Sequence, residues 1–430
     1  MAASIGNFGE VYDFAIFGFS VPILAGHFFP GTDRTAALLS TFAVYAVAFF
    51  ARPLGGVVFG FFADRIGRIK VLSATVWLMA AATALIGLLP TYESLGVAAP
   101  VLLVMCRIAQ GLAMGGETTG SVSYIIESAP NDRRGQWVGY TWFFSYMPNA
   151  FVAVFLLGLQ LAAGMAEYAE WVWRVPFLLG GFVGFIGFWL RRNLDDPEEY
   201  KQAATKTHVD NPLFTATRTG WKCMLHVVLV MPILCVASYL LLGFMYTFLI
   251  REAKLSPSMA LLSNAAAILV LSVAITVGGV ISDRFGRRKI MSIGTAWLAV
   301  VSYPAVYLSA SGTLMGAIIG QFLVAIGVGL YGGAAFTAMP ELFPTSFRAT
   351  GHAVSYQLSV AIFGGTTPFI ATWLVGSFGS PLAPGVYTAL IAAAGLIALR
   401  FVPETNGVRL RTSVGLPLRG TTETVVHDFS

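Results

Sequence analysis

Long apolar runs, each ended by a short cluster of charge, proline or glycine, follow one another along the whole chain. They fall near residues 5–29, 36–62, 70–89, 99–127, 136–161, 172–190, 223–250, 260–281, 290–309, 313–339, 350–377 and 384–402. Runs of about 20 apolar residues are long enough to cross a hydrocarbon core of roughly 30 Å. Within them the apolar positions are continuous, as in VLLVMCRIAQGLAMGG, and lack the alternation of a barrel strand. The spans are therefore predicted to be helices, which satisfy their own backbone amides in lipid. The one long polar interval contains RRNLDDPEEYKQAATKTHVDNP and divides six spans from six. The predicted organisation is a six-helix bundle over 1–190, a linker over 191–222, a second bundle over 223–402 and a tail over 403–430.

Composition supports a membrane protein. Of 430 residues, 57% are hydrophobic and only 11% charged, where a soluble domain carries about 25% charged residues. Mean hydropathy is +0.75. No basic segment precedes the first run and no small-residue cleavage site follows it, so the first span is expected to be retained rather than removed as a signal peptide. Cys106, Cys223 and Cys235 are scattered in apolar surroundings, without the spacing of a disulfide framework or a metal site. The net charge of +5 does not point to nucleic acid, because the basic residues are sided. Two of the 26 Lys and Arg lie inside spans, and only Arg34, Arg174, Arg251 and Lys254 fall on one face of the predicted topology. The rest lie on the other face, which the positive-inside bias makes cytoplasmic, with both termini. A bacterial inner membrane is the expected location.

The two halves repeat each other in their loops. GFFADRIGRIK, from Gly60 to Lys70, follows span 2, and GVISDRFGRRK, from Gly279 to Lys289, follows span 8. ESAPNDRRG from Glu127 and ELFPTSFRA from Glu341 follow spans 4 and 10, with Pro three and Arg seven positions on. A six-plus-six duplication of this kind resembles the major facilitator superfamily, whose G-x-x-x-D-R-x-G-R-x-[KR] signature both copies match. EVYDFAIFG, FFARPLGG, CRIAQGLAMGGE, ESAPNDRRG, WVWRVPF and MPELFPTSFRATG, in that order, are similar to the metabolite:proton symporters, which include carriers for α-ketoglutarate, citrate, shikimate and proline with betaine. The resemblance implies an all-α membrane protein with the major facilitator fold, twelve transmembrane helices in two pseudo-symmetric bundles, working by rigid-body alternating access driven by protons. Two features depart from it. Family members carry a basic stretch before span 1 where this chain begins MAASIGN, and their span 5 is rich in small residues where this one reads WVGYTWFFSYMPNAF.

The repeated loops are expected to form a cytoplasmic gate. Asp64, Arg65 and Arg68 in the first copy, and Asp283, Arg284 and Arg287 in the second, carry charges that can reach helix termini and neighbouring carboxylates. Glu127 and Glu341, with Arg134 and Arg348 seven positions later, are the expected partners. Ion pairs that bridge helices in one state and part in the other supply a bistable element.

Charges inside the spans are costly and functional by default. Arg52 stands 12 residues before Asp64, about 18 Å from the loop end, and is expected to face a substrate carboxylate or an internal acid. In span 4, Arg107, Gln110, Met114, Glu117, Ser121, Tyr124 and Ser128 recur every three or four positions and form one polar stripe, expected to line the path. Asp13 is the expected proton carrier: burial and a neighbouring arginine act on its proton in opposite directions, so moving the arginine changes whether the proton is held. Sugar-porter relatives pair an acid in span 1 with an arginine in span 4, a role the resemblance carries to Asp13 and Arg107. Counting along the helices nevertheless places Arg107 about 30 Å from the loop end and Asp13 only about 18 Å. If tilt and arginine length do not close that gap, Glu10 or Glu117 becomes the proton site. Glu10, one turn before Asp13, is expected in the same proton-coupling group.

Arg52, Arg107, Gln110, Tyr45, Trp142, Asn149, Tyr239, Tyr246 and Tyr356 form the expected substrate-binding set. His352 lies close to the basic loop and is assigned to the gate. GVGLYG, Gly327 to Gly332, matches a dinucleotide fingerprint but lies inside a span with no strand before it; close helix packing is its expected role. No enzyme motif, cofactor or metal set is found. The expected function is proton-coupled symport of a small organic solute by a monomer in the lipid bilayer. Two membrane arginines favour a carboxylate. The alternatives are a zwitterion such as proline or betaine, its cation held by aromatic rings, and an uncoupled uniporter or exporter. The tail after VPETNGVRL lacks heptads, which counts against an osmolyte carrier with a coiled coil.

Overall fold

The computed structural model describes residues 2–66, 68–115, 125–127, 129–191, 218, 220–344 and 347–408, with side chains except at 2–8, 63–69, 190 and 191. One bundle contains α1 (Ala2–Phe28), α2 (Arg34–Ile66), α3 (Arg68–Leu88), α4 (Ala98–Gly115), α5 (Arg134–Ala163) and α6 (Arg174–Arg191). The other contains α7 (Trp221–Arg251), α8 (Pro257–Phe285), α9 (Arg287–Ser309), α10 (Leu314–Glu341), α11 (Arg348–Phe378) and α12 (Ala383–Ala398). Among the described residues ten of these helices are long and apolar enough to cross a bilayer. The α6 span is entered through Met165–Val172, bent by 52° against it, and α12 is the shorter twelfth. The expected all-helical, six-plus-six architecture is present. Most of the linker and tail lies outside the described residues.

Local chemistry sets the helix starts. Asp33 Oδ1 accepts from the amides of Thr35 and Ala36 at 2.8 and 3.3 Å and opens α2. Ser256 followed by Pro257 opens α8, and Thr313 opens α10 by accepting from Gly316 N at 3.1 Å, each satisfying an orphan first-turn donor. Between α8 and α9 the chain reverses at Gly286, whose φ of +97° favours glycine.

The surface is apolar, as lipid demands, and polar side chains are enclosed within a largely apolar interior. Leu54, Phe144, Val300 and Leu390 point outwards, while Thr41, Asn264, Ser272 and Gln321 are fully enclosed. Glycine seams bring helices together where lipid gives no hydrophobic drive. A methyl at Gly111 would meet Ala48 O at 2.1 Å, and one at Gly115 would meet Arg52 O at 1.9 Å, so α2 and α4 are in backbone contact. Gly278, Gly329 and Gly333 do the same between α8 and α10. The glycines of GVGLYG are thus packing positions. Across the two bundles, Gly135 and Gly139 of α5 lie against Gly279 and Thr276 of α8.

Two features escape the apolar pattern. Helices α7 and α11 each contain a π turn, Leu240–Phe244 and Val360–Gly364. Such a turn redirects a carbonyl, and in α7 Leu241 O is taken by the Asn264 amide at 3.0 Å. The turns carry Gly243 and Gly364, but hydrophobicity runs through them unbroken.

The α2–α4 seam generates a stability test. Gly111→Leu should lower the thermal midpoint of the detergent-solubilised protein, with overpacking costing about 1–3 kcal/mol. Gly26→Ala, where nothing lies within 4 Å, should leave it unchanged. Equal midpoints for the two variants would refute the backbone contact.

Candidate functional site

The first bundle encloses a cluster of charged and polar side chains. Asp13 of α1 is 2% exposed and Arg107 of α4 is fully buried. Asp13 Oδ1 accepts from Thr83 Oγ1 of α3 and from Gln110 Nε2, each at 2.6 Å, and Arg107 Nη1 lies 3.4 Å from Asp13 Oδ2. Arg107 Nη1 also donates to Gln110 Oε1 at 2.9 Å. Three helices are tied at one point, and the pair forms despite the depth gap anticipated from helix counting. Gln110 serves the carboxylate and the guanidinium at once. Thr83 is a residue the sequence reading missed, since a threonine in an apolar helix ordinarily returns its hydroxyl to the preceding turn.

Aromatic rings hold the two arginines in a row. The Arg107 guanidinium lies 4.3 Å from the Phe17 ring centre and 4.5 Å from that of Phe14. Phe14 is also 4.5 Å from the Arg52 guanidinium, which lies 4.4 Å from Phe49. Phe14 is thus shared by the two cations, and Phe14 and Phe49 meet each other edge-on at 4.8 Å. Arg52 Nη2 approaches Met114 Sδ at 3.6 Å, and its Nε is buried without a hydrogen-bond partner. The direct contacts shown for Arg52 are thus rings and a thioether, with Asp13 beyond them as the acid within electrostatic reach.

The row continues into the second bundle. Phe49 meets Tyr239 of α7 edge-on at 5.2 Å and Tyr45 at 5.2 Å. It also lies on Gly365, just after the α11 π turn, while Tyr239 lies on Gly364. Nearby, Trp142 of α5 stacks on Phe336 of α10 at 3.7 Å, and Phe336 meets Tyr356 of α11 at 6.4 Å. Trp142 Nε1 is buried without a partner. Phe14, Phe49 and Phe336 were legible only as greasy positions, so the sequence gave no reason to single them out.

Other expected site residues separate from this layer. Tyr246 is two turns beyond Tyr239 and packs edge-on against Phe19 of α1 at 5.5 Å, a contact between α1 and α7. Asn149 is half-buried on α5, and Glu10 is buried one turn before Asp13. Glu117 lies outside the described residues, as do Ser121, Tyr124 and Ser128. His352 is buried between the Phe343 and Tyr356 rings.

At the basic end a second cluster closes the two bundles on each other. Glu341 lies 3.5 Å from both Arg134 of the first bundle and Arg287 of the second. Asp283 pairs with Arg287 at 2.6 Å and accepts from the amides of Gly135 and Gln136 at 2.8 Å, so a carboxylate of one bundle caps a helix of the other. Arg348 meets Glu127 at 2.6 Å. Arg284 is exposed and leaves the expected cluster, because Arg287, one turn on, takes the Asp283 carboxylate. The side chains of Asp64, Arg65 and Arg68 lie outside the described residues. The segment after α12 contributes unexpectedly: Glu404 accepts from the amides of Arg287 and Arg288, and Thr405 donates to Glu341 at 2.7 Å.

The model of the Major Facilitator Superfamily matches residues 3–275 and that of the Sugar (and other) transporter family matches residues 190–413. The proline/betaine transporter of Escherichia coli (strain K12) is 32% identical over 434 residues, covering 98% of this chain and 84% of that protein. A putative proline/betaine transporter of Staphylococcus aureus (strain COL) is 33% identical over 420 residues, covering 96% and 90%. Among solved structures, a D-xylose–proton symporter superposes with a TM-score of 0.75 at 19% identity, covering 95% of this chain and 98% of that one. A partially occluded, inward-open xylose transporter from E. coli gives 0.73 at 18% identity, covering 94% and 97%.

The ion pair makes an additive prediction fail. Arg107→Leu leaves the Asp13 carboxylate buried without its cation and should cost about 3–5 kcal/mol. Adding Asp13→Asn should return much of that loss, because the amide oxygen still accepts from Thr83 and Gln110. Thermal melts of the single and double variants in detergent measure the coupling; additive losses would show that the two side chains do not depend on each other.

Proposed function

Because the chain belongs to the major facilitator superfamily, we propose that it is a proton-coupled symporter of a small zwitterion bearing a carboxylate and a secondary or quaternary ammonium group, as proline and betaine do. The observation that carries this reading is Arg52, packed against Phe14 and Phe49 with Nε open, where rings of both bundles converge. A guanidinium edge takes a carboxylate, and ring faces take the ammonium. Tyr45, Phe49, Trp142, Tyr239, Phe336 and Tyr356 supply those faces. The relatives' names support the same choice.

This replaces a bare carboxylate as the leading substrate. That reading rested on two arginines facing the solute, yet Arg107 already has Asp13 as its counterion through Nη1, its Nε and Nη2 being enclosed without partners. One anionic end for Arg52 and one cationic end for the rings use the layer more completely than a second carboxylate would.

Coupling follows from charge balance in the layer. While Asp13 is ionised, it holds Arg107. When Asp13 takes a proton, Arg107 keeps its charge but loses its counterion, and the nearest cation in the row, Arg52, has the same sign. A substrate carboxylate then restores the balance, so proton and solute are favoured together. Release of both towards the basic end requires the Arg134–Glu341 and Asp283–α5 contacts to part. We place that end in the cytoplasm of a bacterial cell, with both termini, the bundle boundary in 191–222, and the pathway within one chain.

Proteoliposomes test the reading. Labelled betaine or proline should enter faster as the external pH is lowered, with alkalinisation outside, whereas citrate and α-ketoglutarate should not compete. Asp13→Asn should abolish accumulation driven by the proton gradient while preserving exchange of internal for external solute. Accumulation unchanged by Asp13→Asn would remove Asp13 as the proton site, and transport without proton movement would leave the uncoupled uniporter.

A further inference from the structure

A third polar centre lies at the end opposite the basic gate, and neither the ring row nor the gate uses it. Arg251, the last residue of α7, reaches across to the first turn of α2, where its Nη2 donates to Thr35 Oγ1 at 2.5 Å. Its Nε pairs with Glu252 at 3.2 Å. Its Nη1 is enclosed and has no hydrogen-bond partner. One turn earlier, Thr247 is 3% exposed and its hydroxyl also lacks a partner. Other helix hydroxyls here return to the carbonyl four residues back, as Thr372 does to Pro368 at 2.8 Å. Arg251 and Thr247 line one cavity of about 20 Å³, walled also by Phe244, Phe248 and Thr372.

Two enclosed donors left open beside one cavity mark a place where an acceptor belongs, because an unmet buried donor carries its full desolvation cost. A guanidinium N–H with a hydroxyl is the donor set of a carboxylate site. In the closed arrangement the cavity admits about one water. A carboxylate can enter only when α2 and α7 part, which frees Nη2 as well. Glu252 holds the Nε edge and also lines the cavity, so a carboxylate has only the Nη edge of Arg251 on which to approach.

We propose that Arg251 and Thr247 form an outer reception site for the substrate carboxylate, which takes the place of Thr35 on Arg251 as the outer face opens. The inference rests on the zwitterion reading and on the orientation given above. The Phe244 and Phe248 rings beside the cavity face the ammonium end. Arrival of solute is thereby tied to release of a contact between the bundles.

The test is the initial rate of labelled betaine uptake into proteoliposomes by wild type, Arg251→Gln, Thr247→Val and Thr35→Val. A reception site makes the variants diverge. Arg251→Gln should lower Vmax/KM about tenfold, the loss of one charge-assisted bond, Thr247→Val should lower it less, and Thr35→Val should leave it unchanged or raised. A mere latch predicts that Arg251→Gln and Thr35→Val change together, since both delete the same bond, and that result overturns the proposal. Should Arg251→Gln fail to insert, Arg251→Lys with Thr247→Val carries the same comparison against Thr35→Val. A wild type that takes up neither betaine nor proline overturns the functional reading, and the reception site falls with it; a transporting wild type whose Arg251 and Thr35 variants move together removes the reception site alone.

Discussion

A carboxylate in the middle of a lipid-embedded bundle has to be neutralised by its surroundings, and the Asp13–Arg107 pair does this. The pair cannot form unless α1 and α4 approach closely, and its remaining lone pairs require Thr83 from α3 and Gln110 one turn along α4. Close approach in turn needs the glycine seam that sets α2 against α4 at Gly111 and Gly115. Local choices that look unrelated, small residues on one helix and a threonine on another, serve one electrostatic requirement. Because the guanidinium is also wedged between Phe14 and Phe17, it cannot swing away to compensate for a change on Asp13 without disturbing the rings. Through Phe14 that disturbance reaches Arg52, and through Phe49 it reaches α7 and α11. A change in one proton therefore has a continuous packed route to the second bundle.

The two ends of the molecule are held differently. At the basic end, Glu341 between two arginines and Asp283 on the α5 amides form a buried, multiply bonded cluster, reinforced by Glu404 and Thr405 from beyond the last helix. At the opposite end the polar links described across the bundles are side-chain hydrogen bonds, Arg251 to Thr35 and Tyr246 to Gln160, among apolar contacts such as Phe19 on Tyr246. Buried ion pairs are costly to separate, whereas one hydrogen bond contributes about 1 kcal/mol. The asymmetry implies that the basic end opens only when something inside the molecule changes its charge balance, while the other end can open more readily.

Much of the architecture was legible because it is written in periodicity and repetition. Twelve apolar runs, the six-plus-six division and the two loop signatures follow from composition that lipid imposes on every span. Asp13, Arg107 and Gln110 stood out because charge and amide are rare there. What remained hidden depends on contacts between distant helices. Phe14 and Phe49 are ordinary apolar residues until an arginine is placed against each face. Thr83 has no polar neighbours in sequence. The π turns at Leu240–Phe244 and Val360–Gly364 leave hydrophobicity unchanged while turning Tyr239 and Gly364 onto each other. Glu404 follows the last span, where sequence offers no sign that it returns to cap α9. The depth comparison between Asp13 and Arg107 misled for a related reason: counting turns measures where a Cα lies, whereas the pair is made at the far end of a long side chain.

The same distinction decides what the layer is fit to bind. Counting membrane arginines gives two positive charges and calls for a dianion or two carboxylates. Placing them shows one cation already balanced by Asp13 and another that packs against two rings with its Nε open. Arg52 and Arg107 with Asp13 sum to one positive unit, beside aromatic faces on the second-bundle side that carry negative quadrupole density. A solute that is wholly anionic would satisfy the guanidinium edge but place further negative charge against those faces. A zwitterion whose charges lie a few bonds apart satisfies both. With Asp13 protonated the layer carries one more positive charge, so the carboxylate is held more strongly while the ammonium still meets rings rather than a cation. The arrangement thus selects for a separated charge pair in the solute and links its affinity to the proton, with Arg52 as the residue common to both.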